Sequence, residues 1–97
     1  MIEVPEVERV RVLLERLGED ELIQRLDSFL ALNEGLETKR GEDFIRVSIL
    51  GFLEGLLVSL GVRYPGNEEI KALKEEISRK RAELDELFRK PAMQNLR

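Results

Sequence analysis

The sequence contains no cysteine, no histidine and no tryptophan. The absence of cysteine excludes a disulfide framework, a thiolate metal site and a thiol nucleophile. The absence of histidine removes the commonest general base and the Ser-His-Asp and Cys-His arrangements, and it deprives zinc of a usual ligand. The chain also has neither the phosphate-binding G-x-x-x-x-G-K-[ST] loop nor the dinucleotide-binding G-x-G-x-x-G motif. These absences argue against most enzyme classes, and we expect a protein without catalytic residues or a cofactor.

An excess of basic charge is also missing, because the 97 residues carry 16 Lys and Arg against 20 Asp and Glu, a net charge of −4. Proteins that bind a phosphate backbone usually present a strongly basic surface. The densest basic cluster, residues 79–81, has glutamates nearby and is interpreted as a solvated helix face. Nucleic acid is therefore not an expected partner, although a role as accessory subunit of a nucleic-acid-associated complex stays open.

The charged residues, 37% of the chain, are mostly Glu, Lys and Arg, a composition typical of hyperthermophile proteins. The first ten residues, MIEVPEVERV, lack the basic start and apolar core of a secretory signal. We therefore expect a cytoplasmic protein from a hyperthermophile.

Residues 43–61 form the most apolar run of the chain. Its length favours a helix over a strand, and we place the helix at 43–60, with Asp43 as the N-terminal cap and Gly61 as the terminator. Apolar side chains exceed one face, which is typical of a buried helix. A membrane span is not expected, because the run is shorter than about 20 residues and carries Arg46 and Glu54.

Three further amphipathic helices are predicted at residues 5–17, 20–34 and 68–90. The polar stretch between the second helix and the apolar run is predicted to be a loop, with a helical turn near Leu36. No strand pattern is present. The sequence thus predicts one all-α domain over residues 1–97: a small four-helix bundle with a buried, very apolar third helix and a long amphipathic C-terminal helix.

The C-terminal helix carries a narrow apolar stripe with a seven-residue repeat, formed by Ile70, Leu73, Ile77, Leu84 and Leu87. Lys80 interrupts the stripe where another apolar residue is expected. Acid-before-base pairs four residues apart, such as Glu76–Lys80, add about 0.2–0.5 kcal/mol each to helix stability. This helix is predicted to be partly self-supporting, and it could project from the bundle or pair with another chain.

Gly51, Gly55 and Ser59 recur every four residues and form a ridge of small side chains on the apolar helix. Because glycine within a helix costs about 0.5–1 kcal/mol relative to alanine, two of them indicate a need for close packing. The ridge could contact a helix of the same chain or a second copy of the chain. The candidate interface residues are Gly51, Gly55, Ser59, Leu50, Val58, Ile77 and Leu84.

Four acidic residues, Glu34, Glu37, Glu42 and Asp43, are the weak candidates for a metal site, since clustered oxygen ligands suit Mg²⁺ or Mn²⁺. A metal enzyme acting on a nucleotide or another phosphorylated small molecule is therefore an alternative. No second acidic pair on a facing helix can be placed. Solvated loop charges and a helix cap are the preferred interpretation, so no metal is expected.

Glu54 lies in the middle of the apolar run, where it either marks a partly wet edge or meets an arginine of another helix or subunit. Both interpretations stay open at the level of sequence. The excess apolar surface, the small-residue ridge and the narrow C-terminal stripe together favour a non-enzymatic interaction module of unknown biological role. We expect it to self-associate, most simply as a homodimer, and another protein is a second candidate partner.

Overall fold

The computed structural model describes residues 3–95, and for Glu37 and residues 88–95 it describes the backbone alone. This part of the chain is all-α and contains no strand. Its helices are α1 (Pro5–Leu17), α2 (Asp20–Asn33), α3 (Glu37–Arg40), α4 (Glu42–Arg63) and α5 (Glu68–Asn95).

The first helix has the predicted bounds. Pro5 stands in its first turn, where the missing N–H has no intrahelical partner to lose. Gly18 ends α1 in the left-handed conformation with φ 70°, and its N–H donates to the Glu15 carbonyl. The next helix ends at Asn33, one residue before the predicted end, and the side-chain amide of Asn33 donates to the carbonyl of Phe29 at 2.9 Å. The predicted helical turn near Leu36 is the four-residue α3.

Both predicted ends of the apolar helix are wrong. The helix α4 begins at Glu42 after Gly41, and Asp43 makes no capping bond but pairs with Arg46 at 3.2 Å. At the other end Gly61 stays helical, and α4 continues to Arg63. The stop comes at Tyr64 because the residue before a proline is driven out of the α region.

A tight turn over residues 64–67 connects α4 to α5. Gly66 adopts φ 86°, and the N–H of Asn67 donates to the carbonyl of Tyr64 at 3.2 Å. Asn67 then caps α5, since its Oδ1 accepts from the N–H of Ile70 at 3.0 Å.

The predicted end of α5 at residue 90 is wrong, since the helix continues through Pro91 to Asn95. Proline removes one backbone donor and is usually costly inside a helix. The three residues that follow Pro91 are alanine, methionine and glutamine, all strong helix formers, which favours continuation.

One hydrophobic core joins the helices, and α4 contributes the largest share of it. Its buried side chains face α1, α2 and α5 on one side only, and the rings of Phe29 and Phe52 stack with centroids 4.2 Å apart. The buried apolar residues are Val10, Leu13, Leu14, Leu22, Leu26, Ile45, Ile49, Leu50, Leu53, Leu56, Leu57, Leu60, Ile70, Leu73 and Ile77.

Ion pairs tie α1 to α5 along their length. Arg9 meets Glu76, and Arg16 meets Glu69. Glu76 and Lys80 of α5 therefore make their closest ion pairs with α1 rather than with each other. At the end of the bundle, Glu19 pairs with Arg63 and accepts a hydrogen bond from the Tyr64 hydroxyl at 2.7 Å.

Candidate interaction surface

A line of α4 residues lies opposite the core, and we call it the outer stripe. Successive members are four, three, four, three and four positions apart, the spacing that keeps side chains on one seam of a helix. The outer stripe consists of Phe44, Ser48, Gly51, Gly55, Val58 and Val62.

The apolar members of the outer stripe are open to solvent. Phe44 is 43% exposed, Val58 49% and Val62 79%. They are three of the six exposed large apolar residues among those whose side chains the structure describes. Single exposed apolar residues are ordinary on protein surfaces, whereas an aligned set on one face marks a contact surface.

The centre of the outer stripe consists of Gly51 and Gly55, and the described chain leaves open space at Gly55. A Cβ atom built at Gly55 would meet nothing within 4 Å, and one at Gly51 would touch only the Cδ of Arg81 at 3.6 Å. Ser59, beside the stripe, is exposed as well. The small-residue ridge therefore does not serve close helix packing within the chain at Gly55.

Two predicted interface residues belong to the core instead. Leu50 is fully buried because it precedes Leu53 and Leu57 by three and seven positions and shares their inward face. Ile77 is fully buried for the same reason, on the inward line of α5. Leu84 is partly buried against the core. These two corrections leave five predicted interface residues at least partly accessible: Gly51, Gly55, Val58, Ser59 and Leu84.

One edge of the outer stripe is closed by a charged cluster between α4 and α5. Glu54 is partly buried, and its Oε1 accepts a hydrogen bond from the Nε of Arg81 at 2.7 Å. The Ser78 hydroxyl donates to the other carboxylate oxygen. The Ser78 hydrogen bond lowers the pKa of Glu54, burial opposes this, and Arg81 lowers it further. The arginine also meets Asp85 at 3.0 Å.

The polar groups on the outer stripe are satisfied locally. The hydroxyl of Ser48 donates to the Phe44 carbonyl at 3.0 Å, so it presents no unpaired donor to a partner. The guanidinium of Arg40 stands 5.5 Å from the centre of the Phe44 ring. With no ionisable residue on it, the stripe is suited to a dry contact.

The three predicted metal candidates whose side chains are described, Glu34, Glu42 and Asp43, are not gathered into a site. Within the residues that the structure describes, no group of three or more acidic side chains could hold a metal ion. Glu42 and Asp43 both approach Arg46, at 3.9 and 3.2 Å. Glu34 is exposed and lines a cleft of about 500 Å³ between α1, α2 and α4. The side chain of Glu37 lies outside the described part.

A buried carboxylate that the sequence did not reveal lies in the first turn of α1. Glu6 is 5% exposed, its Oε2 lies 3.3 Å from the Nζ of Lys80, and its Oε1 has no hydrogen-bond partner among the described residues. The sequence did contain one sign of this ion pair, namely Lys80, which interrupts the apolar stripe of α5. The interruption is explained by this pair, since the lysine serves as counter-charge.

The length of α4 changes one argument about membranes. Its 22 residues are long and apolar enough to cross a bilayer by length and composition alone, so the prediction that the run is too short was wrong. Of the residues in the most apolar 18-residue segment of α4, 39% are buried inside the protein. The core helix of a globular protein passes the same test.

The described fold and surface define a class: a small all-α protein with one exposed apolar helix face. Residues 7–97 match the family model described as protein of unknown function DUF3216, and the chain belongs to that family. It is also similar to a crystal structure described as a singleton protein from P. furiosus, a hyperthermophile, with 38% identity and a TM-score of 0.78. That match covers 87% of this chain and 91% of the other. None of the curated proteins matches this sequence.

Proposed function

We propose that this protein is a non-enzymatic interaction module that self-associates as a homodimer through the outer stripe of α4. The observation that carries the proposal is the alignment of Phe44, Val58 and Val62 with an open glycine backbone on the side of α4 away from the core. Glycine at Gly55 lowers helix stability and contacts nothing within the chain, so a contact outside the chain would account for it.

The outer stripe supplies part of the area that a stable dimer needs. Its 19 residues, from Phe44 to Val62, span about 27 Å, and a helix is about 10 Å wide. A standard interface takes about 800 Å² from each partner, so neighbouring parts of α2 and α5 would join the contact. Full burial of a Val or Phe side chain yields about 1.5–3 kcal/mol, and the half-exposed residues here would contribute about half of that each.

We also propose that α1, α2, α4 and α5 form a four-helix bundle that unfolds as one domain, with α3 as a connection. The support is that all buried apolar residues of the described chain come from those four helices and form one cluster. Denaturant unfolding followed by circular dichroism and by tyrosine fluorescence should give coincident transitions. Separate transitions would contradict a single domain.

The carboxylate-metal enzyme is not proposed, because no observation brings the candidate carboxylates together. The cytoplasm remains the proposed location, and the core packing of α4 supports it over a membrane. Flotation with anionic phospholipid vesicles tests this choice. Recovery of the protein with the vesicles would overturn the proposal that another protein copy covers the outer stripe.

Light scattering after size exclusion tests self-association directly. A dimer has twice the mass of the 11.2 kDa chain. Val58→Arg should give a monomer because it places a charge on the outer stripe. Val12→Arg is the matched control, since Val12 is a valine of similar exposure, 44%, on α1. A wild-type monomer at about 100 μM, a concentration well above a micromolar Kd, or equal loss in both variants, would overturn the proposal.

A further inference from the structure

The outer stripe has an internal symmetry about Leu53. Gly51 and Gly55 lie at equal distances on either side of it along the chain. Ser48 and Val58 form the next equidistant pair, and Phe44 and Val62 form the last one. All three pairs thus share one midpoint, which is also close to the middle of α4.

We propose that two copies pair their α4 helices antiparallel, about a two-fold axis that passes beside Leu53. This inference rests on the proposed self-association and names its geometry. In a two-fold interface the same patch occurs on both sides and must complement itself. About this axis each glycine of the pair Gly51 and Gly55 meets the other glycine of the partner, so the backbones can approach most closely at the axis.

The outer positions then complement one another by size. The small Ser48 meets the partner's Val58, and the large Phe44 meets the partner's Val62. No pair brings two aromatic rings together, and none brings two charges together. The antiparallel arrangement also opposes the two helix dipoles and keeps the acidic first turns of α4 at opposite ends.

The flanking helix α5 has a matching charge pattern. Glu54 follows Leu53, where the two-fold axis passes, and it binds both Ser78 and Arg81 of α5. The midpoint between Ser78 and Arg81 along α5 therefore lies near the two-fold axis. Lys74 and Asp85 are equidistant from the same midpoint along α5. Because this two-fold axis places the two α5 helices on the same side of the seam, Lys74 of one copy comes level with the partner's Asp85. Opposite charges then face each other across the border of the contact, which adds complementarity.

Disulfide trapping tests the arrangement, and the native chain has no cysteine to interfere. Ser48→Cys and Val58→Cys are made separately, mixed and oxidised. In the antiparallel dimer the mixture should form a covalent dimer of one copy of each, identified by mass. Ser48→Cys alone should stay uncrosslinked, because its two copies are about 15 Å apart along the direction of the helices. A disulfide requires Cα atoms within about 7 Å.

The control is Val12→Cys, mixed with either variant, which should not crosslink because Val12 lies on α1. Circular dichroism confirms that each variant keeps its helix content. Efficient crosslinking of Ser48→Cys with itself would indicate parallel helices and overturn the inference while leaving self-association in place. A dimer by light scattering with no crosslink in any combination would also overturn it. A monomeric mass by light scattering would overturn the proposed self-association itself.

Discussion

Glu54 and Arg81 join the two longest helices at the border of the outer stripe, with the Nε of the arginine 2.7 Å from the Oε1 of the carboxylate. The aliphatic Cδ of the same arginine is the nearest neighbour that a side chain at Gly51 would meet. The pair therefore has two roles in the monomer. It neutralises a partly buried carboxylate on an apolar helix, and it fixes the edge of the surface that we propose for self-association.

The stability of the protein should fall in acid partly because of Glu54. Its folded-state pKa is lowered, chiefly by Ser78, so the carboxylate stabilises the fold above its unfolded pKa and loses this effect as the pH falls through the folded pKa. Urea unfolding at about pH 7 and about pH 3 should show a smaller pH-dependent loss for Glu54→Gln than for the wild type, because the variant has no proton to bind at this site. Ser78→Ala should fall between the two. An unchanged pH dependence in both variants would contradict the assignment.

Removal of the lysine beside Glu6 should be costly. Lys80→Met leaves a carboxylate that is 5% exposed without its counter-charge. Breaking a buried ion pair costs about 3–5 kcal/mol, and because Lys80 is itself 47% exposed we expect a loss near the lower end.

The double variant Glu6→Leu/Lys80→Met is the control that distinguishes the cost of an unpaired buried charge from the cost of altered side-chain packing. It should recover most of the stability, since an apolar pair of similar volume replaces a buried ion pair at little cost. The midpoint of urea unfolding measures both variants. A single variant as stable as the wild type would show that Glu6 does not depend on Lys80.

Two glycines next to helix ends should respond to alanine in opposite directions. Gly61→Ala should stabilise the protein by about 0.5–1 kcal/mol, because the residue is helical and a Cβ there meets nothing within 4 Å. Gly18→Ala should destabilise it by about 1–2 kcal/mol, because φ is 70° at that position. Thermal unfolding followed by circular dichroism shows whether each variant is more or less stable than the wild type. Destabilisation by Gly61→Ala would indicate that α4 ends before Gly61.

Gly55→Ala should change the thermal stability of the monomer and of the dimer differently. In the monomer it removes a glycine from a helix with free space around it, so the melting temperature at high dilution should rise. A stabilisation of 1 kcal/mol corresponds to about 4–8 °C in a domain of this size. In the proposed dimer the same methyl group lies in the closest part of the seam, so the rise should shrink as protein concentration increases. An equal rise at every concentration would contradict a seam at Gly55.

Helix existence followed directly from the sequence, because periodic apolar residues and glycine or proline punctuation agree at most ends. The two largest errors, at the C-terminal ends of α4 and α5, arose where a local signal had a competitor. Gly61 is a common terminator, but the Tyr64-Pro65 dipeptide three residues later provides a stronger stop. Pro91 normally ends a helix, but it is followed by strong helix formers, and α5 continues.

The candidate surface was predictable only in part. The ridge of Gly51 and Gly55 was visible as a pattern, since its spacing needs no knowledge of neighbouring helices. Which face of α4 the chain covers depends on the tertiary positions of α1, α2 and α5, so Leu50 and Ile77 could not be separated from the surface by sequence. The partner of Glu6 was equally hidden, because Lys80 lies 74 positions further along the chain.

The contact between Tyr64 and Glu19 joins the connection after α1 to the connection after α4. Tyr64 is the only tyrosine, and the chain has no tryptophan, so its near-ultraviolet absorption and intrinsic fluorescence come mainly from this one ring. The optical signal of the protein is therefore a local reporter of one end of the molecule. Circular dichroism averages over every helix, so coincidence of the two signals on heating would show that this end unfolds together with the rest of the molecule.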